Sequence, residues 1–326
     1  MIAGSCLRRS DRVAIAVAML YVAAYSSPQS SRAEGSGEIA ASIDNDFVYV
    51  SEVERELVRV VNDRPIEPAA KRVLQAQTLQ QLIDRRLVVH WLQSKRQGAS
   101  KGEVDLSIQR LQKRLAQRDK TLANHLAELK TTEEETRRLF EWQIGWQRFT
   151  ARYMTDENLQ KFFEQHRRDF DGTKIHVAHI LLKTEGEDPQ SALEKASELR
   201  KQIVSGELTF AAVAMDHSAA PTGAKGGDIG LISRREPMPE SFSKAAFALA
   251  EGKVSEPVVS AFGVHLIRCL EIEPGQRGWE NVREELSEAI TRYLFTWAAD
   301  RQRANAKIEF TGALPHFRPG TDELEE

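Results

Sequence analysis

The sequence predicts an α+β chain: a helical region that is interrupted by a smaller segment of strands and helices and then resumed. Three observations carry this. From about residue 66 to 153, apolar side chains recur at steps of three and four, the spacing of one helix face. Between 174 and 274, two runs, IHVAHILLK (175–183) and EPVVSAFGVHLIRCLEI (256–272), are rich in aliphatic and β-branched residues and read as strands. Helical spacing then returns at 279–303, through Trp279, Val282, Leu286, Ile290, Leu294 and Trp297. A chain of 326 residues has room for two domains of ordinary size.

The elements follow in order. Arg8, Arg9 and Arg12 precede an apolar run from Val13 to Ala24, and Ser26–Ser31 is small and polar, the pattern of a targeting segment. The run is about a dozen residues, short of the roughly 20 that span a bilayer. Residues 1–33 are therefore expected to be a cleaved export signal, with an uncleaved anchor as the alternative and the mature chain beginning between Ala24 and Glu34. Cys6 lies before the apolar run, on the wrong side for a lipoprotein cysteine. Its removal leaves Cys269 as one thiol and no intrachain disulfide.

Residues 39–57 (IAASIDNDFVYVSEVEREL) read as a short strand, a turn and a helix start. Four helical segments follow. Ala76, Leu79, Ile83, Leu87 and Trp91 form one apolar face, which Gly98 ends. Ser100-x-x-Glu103 is a capping box that opens the next helix, with Val104, Ile108, Leu111 and Leu115 on its face. A shorter helix is expected around 122–129. Thr132-x-x-Glu135 opens the fourth, with Leu139, Trp142, Trp146, Phe149 and Tyr153 at steps of three and four. That aromatic stripe either packs into an all-α core or borders a hydrophobic groove for unfolded chains.

Helix is expected to run on to Asp169, with Asp171-Gly172 as a hinge. Beyond it, Asp188-Pro189 starts a helix with proline at its first position. Leu199 and Ile203 line that helix and Gly206 stops it. KGGDIG (225–230) is a turn, and MPESFSKAAFAL (238–249) is an amphipathic helix. The helix at 279–303 needs an apolar partner, since isolated helices are marginal in water. The expected partner is the N-terminal helical set. Residues 304–310 read as a strand, and 311–326, with their acidic end, read as a disordered tail.

Several functions are excluded. Net charge is −3 with 29% charged residues, so nothing asks for nucleic acid or an anionic membrane surface. The Lys and Arg residues of 95–120 fall on the polar side of an amphipathic helix. His176-x-x-His179 resembles a metal pair only in one dimension, because odd spacing on a strand sends the side chains to opposite faces. No Cys, Asp or Glu cluster completes such a site, and no phosphate loop or nucleophile triad stands out, so no metal and no cofactor is expected.

The ordered set of His179 in the first strand, KGGDIG, the helix after Met238 and the closing FGVHLI resembles the parvulin family of peptidyl-prolyl cis–trans isomerases. The resemblance implies a small antiparallel sheet flanked by helices over 173–275. It also implies an active-site pair at His179 and His265, a proline-binding wall of Ile229, Met238 and Phe242, and Phe262 near the rim. One position departs from the pattern. The family's polar Asp or Cys falls on Ala220, which can neither donate nor accept, with His217 and Ser218 as neighbours that could substitute. Lys183 matches the basic cluster of phospho-specific parvulins, but Glu185, Glu187 and Asp188 follow it and would repel a phosphate.

The whole layout resembles the exported foldase-chaperones of the SurA/PrsA type. This implies a helical chaperone region at 34–172, the inserted parvulin domain, and a helix and strand at 276–310 that complete the chaperone region. The function implied is isomerisation of X–Pro bonds in unfolded or nascent exported polypeptides, in the periplasm or cell envelope. Membrane contact would come only through an uncleaved N-terminal segment. The alternative is a non-catalytic chaperone that binds proline segments through a degenerate parvulin site.

Overall fold

A computed structural model describes residues 37–61, 66–183, 189–321 and 323–325. The expected export segment, and Glu185, Glu187 and Asp188, lie outside the described residues. The chain divides into two compact units, one spanning 156–288 and the other made of the described residues before 156 and after 288. The first unit thus begins ahead of the Asp171-Gly172 hinge that the sequence suggested.

In the helical unit, β1 (Ile39–Ile43) and β2 (Asp46–Tyr49) form a hairpin that leads directly into α1 (Val50–Val61). Pro68 opens α2 (Pro68–Ser94), where a missing N–H costs nothing. The capping box of α3 (Lys101–Ala116) is made in full: Ser100 Oγ accepts from Glu103 N–H, and the Glu103 carboxylate accepts from Ser100 N–H at 2.8 Å. Thr132 and Glu135 repeat the device at α5 (Glu133–Ala151), after the short α4 (Leu122–Glu128).

The inserted unit contains α6 (Asp156–Gln165), α7 (Arg167–Phe170), β3 (Lys174–Leu182), α8 (Pro189–Ser205), α9 (Phe210–His217), β4 (Asp228–Ser233), α10 (Glu240–Phe247), β5 (Val258–Ser260) and β6 (Gly263–Glu273). Its four strands form one antiparallel sheet in the order β4-β3-β6-β5. Alternation along β3 and β6 splits their side chains between two cores. Ala178, Ile180, Leu182, Val264 and Leu266 pack under Ala196 of α8 and Phe210 and Val213 of α9. On the opposite face, Ile175, Val177, Ile267 and Cys269 pack against Phe242, Ala246 and Phe247 of α10.

The two ends of the strand-bearing segment are tied together. Gly275 N–H donates to Thr173 Oγ1 at 3.0 Å, and Arg277 N–H donates to the Asp171 carbonyl at 2.9 Å. The Asp171 carboxylate in turn accepts from Thr173 N–H and hydroxyl. Asp171 and Thr173 are both buried, so these bonds are sheltered from competing water.

The chain returns through α11 (Arg283–Arg303), whose residues from 289 onward belong to the helical unit. There Trp297 meets Trp91 edge-on with ring centres 5.1 Å apart, and Phe295 meets both Trp142 and Trp146. Arg303 pairs with Asp84 of α2. Trp146 and Phe149 of the aromatic stripe are thus core, while Trp142 and Tyr153 are half-buried and Leu139 is exposed. β7 (Ile308–Phe310) then adds to β1, giving a three-stranded sheet in the order β2-β1-β7.

The expectation of a disordered tail over 311–326 is corrected. β8 (His316–Phe317) and β9 (Leu324–Glu325) pair as a hairpin. The tail is acidic, but it carries its own anchors. The His316 ring stacks on Phe310 at 4.1 Å, Leu314 is buried, and Arg318 bridges Glu323 and Glu325.

Candidate active site

The site is built on the α10 face of β3 and β6. Leu181 stands opposite His265 and His179 opposite Ile267, so the two histidines are diagonal neighbours on one face. Their rings lie 17° from parallel with centres 5.6 Å apart, and the two Nδ1 atoms approach to 3.4 Å. Phe242 presents itself edge-on to both, 5.6 Å from His179 and 5.3 Å from His265.

Two glycines of the sequence motifs make this placement possible. Gly227, at φ +83°, lies so close to β3 that a Cβ would stand 2.3 Å from the His179 carbonyl oxygen. His179 N–H donates to the Gly227 carbonyl at 2.8 Å. Gly263, at φ +129°, makes the same kind of approach to Leu182 and turns the β5–β6 hairpin that delivers His265. The Gly-Gly-Asp and Phe-Gly-x-His patterns are thus requirements of backbone contact.

A hydrogen-bond chain holds the two rings in place. Phe262 N–H donates to Ser260 Oγ at 3.0 Å, and Ser260 Oγ lies 2.7 Å from His265 Nε2. Ser260 thus ties His265 to the β5–β6 turn, and the Nδ1 pair continues the chain to His179. Burial pushes His265 down to about 4, with the neighbouring His179 ring as the second cause, and burial also lowers His179. Both imidazoles are therefore neutral at pH 7.

Above the histidines opens a cavity of about 340 Å³. His179, His265, Met238 and Phe262 line it, as does Ala220. Two expected wall residues are placed elsewhere. Phe242 is fully buried beneath the histidines, because α10 turns it into the sheet core. Ile229 packs against that same core beside Met238 and is not in the lining. Phe262 is 64% exposed, at the rim.

Sequence reasoning missed Leu181, Pro221, Thr222, Pro237 and Pro239 in the lining. Leu181 could have been found as the residue two beyond His179 on the same strand face. The prolines sit on loops, where periodicity is silent. Neither candidate substitute for Ala220 faces the cavity. His217 is exposed on α9, and Ser218 Oγ is taken up by the N–H groups of Leu181 and Ala220, at 3.1 and 3.3 Å. His176 turns to the other face and bonds Asp228 at 2.8 Å, an interaction that holds the Asp228 carboxyl below the usual carboxylate range.

Residues 179–271 match the family profile described as Rotamase: PPIC-type PPIASE domain. Over 144 residues, 42% of its length, the chain is 37% identical to the Chaperone SurA of Albidiferax ferrireducens, and it covers 31% of that protein. It is 30% identical to the Foldase protein PrsA of Bacillus subtilis over 156 residues, 48% of this chain and 47% of the relative. A solved structure of a peptidylprolyl isomerase (PrsA) from Bacillus anthracis aligns over 71% of this chain and 99% of its own, at 20% identity and a TM-score of 0.35. A score that low does not match the two as whole folds. The chain spans less than half the length of both curated relatives. Within those bounds, residues 179–271 are a PPIC-type, parvulin-like peptidyl-prolyl isomerase domain, carried by a chain homologous to the SurA and PrsA chaperones.

Proposed function

We propose that this protein is a peptidyl-prolyl cis–trans isomerase and folding chaperone for exported polypeptides. The observation that carries the reading is the pair of neutral histidines at the floor of an otherwise largely apolar cavity. Rotation about an X–Pro bond must cross a barrier of roughly 18–20 kcal/mol, because the amide loses its resonance on the way. Uncatalysed, the exchange takes tens to hundreds of seconds.

Met238, Leu181 and Phe262 supply apolar walls that strip water from a proline ring and its amide. Water stabilises the charge-separated, planar form of the amide, so its removal favours the twisted one. The imidazoles, His265 held by Ser260 and His179 by the His265 ring, act as oriented dipoles that need not reorganise during the reaction. His179 and His265 are assigned this role, with Met238 and Phe262 as substrate contacts and Phe242 as the support beneath. Among the described residues the cavity lining carries no charged side chain, which suits an unphosphorylated residue before the proline.

The partners proposed are unfolded or nascent chains containing proline, in the periplasm or cell envelope, as fits SurA and PrsA homologues and the basic-then-apolar start of the sequence. Ala220 favours a second reading, in which the domain grips proline segments without turning them. A protease-coupled assay on a proline peptide separates the two. Acceleration by the purified protein that disappears in the His179→Ala/His265→Ala double variant supports isomerisation. Peptide binding without acceleration supports the second reading.

A further inference from the structure

Thr222 is the one lining residue whose chemistry the reading above leaves unused. Among the described side chains around the cavity, only the two histidines and Thr222 are polar. His265 already engages Ser260 and His179 through its two ring nitrogens. Thr222 Oγ1 is shut off from solvent and has no hydrogen-bond partner among the described residues. Buried hydroxyls are nearly always paired, and an unpaired one calls for an explanation such as a catalytic role or an absent partner.

The backbone holds this residue firmly. The Thr222 carbonyl accepts from Lys225 N–H and from Gly227 N–H, each at 2.9 Å. Gly227 is the same residue whose carbonyl receives His179 N–H at 2.8 Å. Thr222 and His179 are thus fixed to one turn, and two residues before Thr222 stands Ala220, with no polar side chain to offer. Ser218 is committed to backbone donors and His217 faces water.

We propose that Thr222 donates the hydrogen bond to the substrate backbone that position 220 cannot make. This rests on the isomerase reading. A twisted X–Pro amide regains a localised lone pair on the prolyl nitrogen, and a hydroxyl donor favours that state over the planar one. Thr222 lines the cavity with its Oγ1 turned away from solvent, and a rotation about χ1 to another staggered well would present the donor to a bound chain.

The test is the isosteric Thr222→Val variant of the full chain, with Thr222→Ser as the conservative control, on an Ala-Leu-Pro-Phe anilide substrate. We expect kcat/KM to fall roughly 2- to 12-fold in Thr222→Val, the range of one net hydrogen bond, with most of the change in kcat. Thr222→Ser retains the native rate. The thermal midpoint of Thr222→Val stays level or rises, because an unpaired buried hydroxyl has been removed. In an Ala220→Asp background the same change has a smaller effect, since the two groups serve one bond.

Native rates in Thr222→Val overturn the proposal. So does a rate loss that comes with a lowered midpoint and is not restored by serine. If the native protein itself does not accelerate the peptide, the isomerase reading fails first. This inference, which rests on that reading, is then overturned with it, whereas an active native protein with an equally active Thr222→Val variant overturns the inference alone.

Discussion

Replacing Phe242 with alanine tests whether this side chain grips the substrate or holds up the site. It is fully buried, packs with Ile175, Val177, Ile267 and Cys269, and touches both histidine rings edge-on. Truncating a phenylalanine in such a place costs about 3–5 kcal/mol, through lost burial and the cavity left behind. The native chain has five tryptophans, of which Trp91, Trp142, Trp146 and Trp297 lie in the helical unit and only Trp279 in the inserted one. Tryptophan fluorescence in urea therefore reports mainly the helical unit and is expected to change little. Hydrogen exchange of β6 peptides reads the affected sheet. At about 1.36 kcal/mol per decade, protection there should drop by roughly two to four decades. Activity falls as well, because the histidines lose their floor. If β6 protection is unchanged while peptide turnover collapses, Phe242 acts on substrate directly and the packing argument is wrong.

The remaining predictions are more compact. Ala220→Asp should raise kcat/KM on the order of tenfold, less than the 10²–10³ of a donor in acyl transfer because amide rotation develops less charge; a slower variant in the peptide assay rejects this. Gly227→Ala forces a Cβ to within 2.3 Å of the His179 carbonyl at a positive φ, so the chain should lose both stability and activity, measured by thermal midpoint and turnover together. Because burial pushes His265 to about 4 against an ordinary 6.5, the native state binds fewer protons than the unfolded one between those values. Stability of the inserted unit is then complete above pH 6.5 and declines as pH falls toward 4, by roughly 3 kcal/mol, and His265→Asn should flatten that slope in β6 exchange measured across pH.

What the sequence made legible follows from period and spacing. The capping boxes at Ser100 and Thr132 and the steps along α2 and α5 are local signals, and the helices stand where those signals place them. The histidine pair is legible only through the ordered motifs that resemble the parvulin family, since strand alternation alone does not say which faces meet. Depth was not legible. Met238 and Phe242 are four apart on the chain, yet one lines the cavity and the other lies under it, a distinction set by how α10 crosses the sheet. Pro237 and Pro239 enter the wall from a loop, and no periodic pattern reaches them. The tail misled for a related reason. Its acidic composition suggested disorder, whereas a ring stack on Phe310, some way back in the chain, ties it down.

The tie between Asp171–Thr173 and Gly275–Arg277 has a mechanical consequence. Lys174 and Glu273 stand opposite each other at the same end of β3 and β6. A pull applied at residues 172 and 276 would load that end alone and open the ladder one bond at a time, the weakest way to stress an antiparallel pair. The bonds of the tie, buried on their Asp171 and Thr173 side, lie outside the first rung and take the load before it. A client tugging on the flanking chain would have to break this lock before it could move either histidine, so Thr173→Val should lower the force at which the sheet unzips while leaving the resting site unchanged.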